Sequence, residues 1–162
     1  RFTFTYLCEE KNLHNLLFAY SSSSNIRDSE QYLERYPGDD YTDLLGFDHY
    51  QAGMEGKESF INEVNRVLGI VTGVADGHEK LAALTEAGFE GIPDSTWWTA
   101  TLWPAIENHK ISYALVWRNA HNIPGHFYAP YPGQASADNF VEFRNMPSTL
   151  FQKELTELDI YK

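Results

Sequence analysis

Apolar residues fall into short continuous runs and one long amphipathic stripe, separated by turn-forming residues. Leu16-Leu17-Phe18-Ala19-Tyr20 is unbroken and apolar, the pattern of a strand buried on both faces. Asp43 to Asp48 is a second run and Leu81 to Thr85 a third, each too short for an independent helix. Ile111 to Trp117 is the fourth. From Ser59 to Val74 the period changes. Phe60, Ile61, Val64, Val67, Leu68, Val71 and Val74 recur every three or four residues, which predicts a helix with one buried face. Gly73 and Gly77 bracket its end.

The connecting segments complete the alternation. Phe2 to Glu10 reads as the end of a helix. Ser21 to Ser24 reads as a surface loop, and Asp28 to Tyr36 as a short helix capped by Asp28 or Ser29. Tyr36-Pro37-Gly38-Asp39-Asp40-Tyr41 is turn chemistry. Thr96 to Asn108 is helical with a kink or restart at Pro104. Gly125 to Gln134 is a loop rich in aromatics and prolines. A helix follows from near Ser136, with Phe140 and Phe143 facing inward, and it restarts after Pro147 towards Leu158.

Four strand-then-helix units result, with strand ends spaced roughly 30 to 40 residues apart, which implies a parallel sheet with helices outside it. The fold class is therefore α/β. Side chains capable of chemistry stand near the strand ends: Asp48 and Tyr50, Glu86, then Trp117 and Arg118. A TIM barrel places its active site in that way. A whole barrel takes about 250 residues, so four units make half of one. An open doubly wound sheet is the other reading, but Ser21 to Ser24 makes a poor phosphate loop. Glu86 has a plainer reading too, as a helix cap near Ser95 or the partner of an arginine. Asp48 could cap a turn.

Composition narrows the partners. The net charge of −11, with no dense Lys/Arg cluster, argues against a nucleic acid partner. No apolar run approaches the ~20 residues of a membrane-spanning helix, so no membrane insertion is expected. The single cysteine, Cys8, rules out an internal disulfide and a cysteine-rich zinc site. The six histidines lack the H-E-x-x-H spacing, so no metal site is expected. Ten Tyr, ten Phe and four Trp supply flat surfaces on which sugars stack as well as core filler. Carboxylates beside aromatic platforms are the inventory of glycoside hydrolysis. A retaining glycosidase needs two carboxyl groups about 5–5.5 Å apart, one as nucleophile and one as acid/base.

Five segments together resemble a known family: Tyr36-Pro-Gly-Asp-Asp-Tyr41, Gly46-Phe-Asp-His-Tyr-Gln51, Ala83-Leu-Thr-Glu-Ala-Gly88, Trp117-Arg-Asn119 and His126-Phe-Tyr-Ala-Pro-Tyr-Pro-Gly133. In this order they resemble glycoside hydrolase family 26, mostly endo-β-1,4-mannanases with a (β/α)8 barrel. The resemblance covers nearly the whole chain. It implies that residues 1–162 are the C-terminal half of the catalytic domain, strands five to eight. It implies Glu86 as the nucleophile and Tyr50 as the residue that orients it. It implies Trp117 as the floor of the −1 sugar subsite, with Arg118 and Asp48 near the glycone-side subsites.

The same resemblance implies a retaining hydrolase of internal β-1,4-mannosidic bonds, with β-mannan or manno-oligosaccharide as substrate and no cofactor. The family's acid/base glutamate ends strand four, which this chain lacks. Glu90 and Glu107 read as surface charge, and His49 as structural. The missing partner is the N-terminal half of the same domain, without which the chain is expected to be inactive and unstable. The location implied is extracellular, or at the bacterial cell surface or in the periplasm. Two other functions fit the residues: a non-catalytic sugar-binding fragment using Trp117, and a related β-glucanase or xylanase.

Overall fold

The computed structural model describes residues 1–158. Four strands form one sheet in the order β1-β2-β3-β4, every neighbouring pair parallel. They are β1 (Ala19–Ser23), β2 (Leu44–Tyr50), β3 (Leu81–Gly88) and β4 (Ala114–Val116). The helices are α1 (Phe2–Thr5), α2 (Ser29–Leu33), α3 (Lys57–Gly77), α4 (Trp103–Ile106), α5 (Ala137–Arg144) and α6 (Gln152–Glu157). π-helical turns extend α1 to Glu10 and lead into α4 from Trp98.

The core lies between the sheet and the helices on one of its faces. Leu45 and Phe47 of β2, and Ala82, Leu84 and Ala87 of β3, point into it. From α3 come Phe60, Val64, Val67, Leu68, Val71 and Val74, residues of the predicted stripe. Trp97 and Trp98 are fully buried and nearly perpendicular to each other, with centroids 4.9 Å apart. Truncating either to alanine would cost about 3–5 kcal/mol. Each indole N–H has a buried acceptor: Gln51 Oε1 at 2.9 Å for Trp97 and Ser136 Oγ at 3.0 Å for Trp98. Among the described residues, no such helical cover lies on the opposite face of the sheet. Leu81, Tyr113 and Leu115 point that way and are 55%, 41% and 42% exposed.

Several boundaries differ from the sequence expectation. The first strand is not Leu16–Tyr20. Leu17 is 80% exposed, and the ladder begins at Ala19 and runs through the serines. The reason lies at its entry. Asp43 holds the Phe18 N–H with its carboxylate at 2.8 Å and donates its own N–H to the Phe18 carbonyl, so pairing starts only beyond Phe18. Sheet-edge geometry then lets small hydroxyl side chains serve as strand residues. The helix α3 ends beyond Gly73 and at Gly77, and Glu79, at φ 54°, takes the left-handed position expected of a glycine. The regular part of the fourth strand is shorter than Ile111–Trp117, although Ser112 and Trp117 on either side of it still donate backbone N–H groups to β3, to Ala82 O at 2.7 Å and Ala87 O at 3.0 Å.

Candidate active site on the uncovered face of the sheet

The site begins with that bulge. Phe47 pairs with Leu84, but the next residue, Asp48, pairs with Glu86, so Thr85 is an extra residue in β3. The same break occurs against β4, where Leu84 pairs with Ala114 and Ala87 with Val116. Alternation along a strand would send Leu84 and Glu86 to the same face. Instead Leu84 and Ala87 both enter the core, three residues apart. Thr85 and Glu86 are thereby turned in succession to the helix-free face, as a bulge allows. Glu86 thus lies inside β3, two residues before its end, rather than at a strand-to-loop junction.

Three polar side chains meet there. Tyr50, the last residue of β2, donates its hydroxyl hydrogen to Glu86 Oε2 at 2.8 Å. Both side chains are half-buried. Burial pushes the Tyr50 phenol well above the ordinary value of 10.0, and the bond to Glu86 pushes it further, so it stays protonated as a donor. Asp48 stands beside Glu86 in register. Burial and then the Glu86 charge raise its carboxyl above the ordinary value of 3.8. Two neighbouring carboxylates are thus arranged unequally: one has a fixed phenol donor, and the other is pushed towards its neutral form.

Trp117 follows β4 directly and donates its backbone N–H to Ala87 O at 3.0 Å. Val116 before it packs on the core, so alternation puts the half-buried indole on the face that carries Glu86. Arg118 is exposed and, among the described residues, makes no hydrogen bond or ion pair. The structure therefore brings Glu86, Tyr50 and Asp48 together, places Trp117 alongside, and leaves Arg118 at the rim. His49 points to the other face, where it stacks on Phe60 and shares a 2.8 Å hydrogen bond with Ser24 Oγ. Glu107 is exposed. Glu90 is exposed as well but not solitary, since its carboxylate meets His126 Nδ1 at 2.7 Å.

Sequence reasoning missed the supports of this site. Tyr128, which the sequence shows only as part of the aromatic segment His126–Gly133, is buried with its ring edge-on to Tyr50 at 5.5 Å. Its seat exists because residue 88 is glycine: a Cβ there would overlap the Tyr128 ring. Asn119 fixes the segment that carries Tyr128. Its side-chain oxygen accepts from the backbone N–H groups of Tyr128 and Ala129, both at 2.9 Å, and its amide donates to Ala129 O at 3.0 Å. A lone Asn after Trp-Arg carries no signal of such a role. Two adjacent polar residues, Thr85 and Glu86, between Leu84 and Ala87 were the available signal of the bulge.

Comparison with known proteins now decides the family. The profile of glycosyl hydrolase family 26 matches residues 1–124. The chain belongs to that family. A mannan endo-1,4-beta-mannosidase from Bifidobacterium adolescentis is 39% identical over 158 residues, a match that takes in 89% of this chain and 16% of that protein. Among solved structures, a GH26 beta-mannanase from Bacteroides ovatus superposes with a TM-score of 0.84 at 51% identity, over 88% of this chain and 40% of its own. An endo-beta-1,4-mannanase double mutant from Cellulomonas fimi does so with 0.83 at 32% identity, over 96% and 36%. The chain thus spans well under half the length of these relatives. The family 26 enzymes are (β/α)8 barrels, and the four parallel strands with helices on one side correspond to part of one. On that correspondence the uncovered face is the barrel interior. No helix among the described residues is long and apolar enough to cross a membrane.

Proposed function

We propose that this chain supplies the nucleophile-bearing side of a retaining endo-β-1,4-mannanase, as the last four βα units of its catalytic barrel. The observation that carries the reading is the 2.8 Å hydrogen bond from Tyr50 to Glu86 on the interior face of a family 26 sheet. Of the two neighbouring carboxylates, Glu86 is the one with a fixed donor. Asp48 stands beside it in register and, among the described residues, receives no side-chain hydrogen bond.

Glu86 attacks the anomeric carbon, the bond to the leaving oxygen breaks, and a covalent mannosyl ester forms. Tyr50 keeps the carboxylate in line for that attack. A second carboxyl group, contributed by the part of the barrel outside these 162 residues, protonates the leaving oxygen. It then takes a proton from the water that releases the sugar. Trp117 offers its indole face to the reacting mannose, and Arg118 stands at the rim to meet a neighbouring sugar. The substrate is a β-1,4-mannan, a polymer whose size puts this work outside the cell or at its surface.

The test is covalent. The complete barrel enzyme would be treated with a 2-fluoro-mannoside bearing a dinitrophenolate, a leaving group that departs without acid help. Peptide masses are expected to place one sugar on Glu86. A sugar on Asp48, or none anywhere, would refute the reading.

A further inference from the structure

Thr85 is the residue that the catalytic reading does not use, and it is held by more groups than any surface role requires. Its side chain is buried and its hydroxyl donates to the Phe47 carbonyl of β2 at 2.8 Å. Phe47 is the last residue before the register breaks. The same oxygen lies 2.6 Å from Ser21 Oγ of β1. A hydroxyl has one hydrogen, and that of Thr85 is committed to Phe47, so Ser21 donates and Thr85 accepts. The side chain therefore reaches from β3 across the whole width of β2.

It crosses where β2 has no side chain. A Cβ on Gly46 would overlap Thr85 Cγ2 and lie 2.9 Å from Ala83 O and 3.0 Å from Thr85 Oγ1. Gly46 is extended backbone within β2, so the requirement for glycine there is one of space. The Thr85 methyl fills that space, and its hydroxyl anchors the bulge on both strands. The bulge is what turns Glu86 from the core to the interior face.

We propose that Thr85, seated over Gly46 and bonded to Phe47 and Ser21, is a positioning residue that sets the direction of the Glu86 carboxylate. This rests on Glu86 as the nucleophile. Thr85 touches no reacting atom; it acts by holding the extra residue of β3 in place. An error of about 1 Å in a reacting group can cost on the order of 100-fold in rate.

The experiment uses the complete barrel enzyme with T85V, which keeps the shape and removes the hydroxyl, and T85S, which keeps the hydroxyl. Each is read by kcat and KM on manno-oligosaccharide and by the rate constant for trapping with the 2-fluoro-mannoside. T85V is expected to lower kcat and the trapping rate constant by on the order of 10–100-fold with KM little changed. T85S is expected to recover most of both. If T85V loses melting temperature but keeps kcat and trapping rate, the residue is merely structural and the proposal is overturned. If T85V does not fold, S21A, which removes one of the two anchors, is expected to reduce kcat by a smaller factor without moving KM, and an unchanged kcat overturns the proposal. E86Q separates the two claims. If E86Q is fully active, the nucleophile reading has failed; if E86Q is inactive while T85V is unimpaired, only the positioning role has.

Discussion

Replacing Tyr50 with phenylalanine removes one oxygen from the site and leaves the ring. The ring makes the edge-on contact with Tyr128 at 5.5 Å and closes β2, so folding is expected to be preserved. What is lost is the 2.8 Å donor to Glu86 Oε2. A hydrogen bond to a charged group is worth about 1.5–3 kcal/mol. At about 1.36 kcal/mol for each factor of ten, the full loss is about 10–150-fold in rate. Under the proposed mechanism the bond acts in two ways during turnover. It aims the carboxylate as Glu86 attacks, and it stabilises the carboxylate that is set free as the covalent ester breaks. Part of it also stabilises the resting carboxylate and so opposes the first step, which brings the net loss in kcat below that full figure, to about 5–50-fold. Steady-state kinetics on a manno-oligosaccharide, with the melting temperature as control, would measure it in the complete enzyme. With E86Q inactive, Y50F within about threefold of the parent in both kcat and KM would show that Glu86 needs no donor from Tyr50, and the argument from geometry would fall.

Other perturbations act on neighbouring parts of the site. The Asp48 carboxyl is raised in the fold, so its ionisation destabilises the native state as pH rises above the ordinary value of 3.8. D48N is expected to raise the melting temperature at neutral pH, with the gain shrinking as the pH falls towards that value and lost below it; a gain independent of pH would contradict the cause. G88A drives a methyl into the Tyr128 ring and should cost about 1–3 kcal/mol, with Tyr128→Ala in the same molecule recovering much of it in denaturant unfolding. Additive losses in that cycle would show that the two residues do not compete for the space. N119A strips two acceptor bonds and one donor bond from the segment carrying Tyr128, so amide exchange at Tyr128 and Ala129 should speed up while α3 is unaffected.

Much of this arrangement can be read in the sequence where one physical signal dominates. The stripe of α3 is such a case, since a long helix against a sheet must show its buried face at its own period. The pairing of Glu86 with Tyr50 is not such a case: it is implied by the resemblance to a family, because spacing alone leaves Glu86 a cap or an ion-pair partner. The first strand shows the limit. Its apolar run Leu16–Phe18 lies outside the ladder while Ser21, Ser22 and Ser23 lie within it. Serine reads as loop because its side chain competes for backbone hydrogen bonds, unless another strand supplies a partner. For Ser21 that partner is Thr85, 64 positions away. Gly46, Thr85 and Ser21 are small residues that carry no signal one by one, and only the register of three strands makes them one device. The same register decides on which face Glu86 emerges. A bulge shifts everything after it by one position, so a single extra residue in β3 separates a carboxylate buried against helices from one that faces the barrel interior.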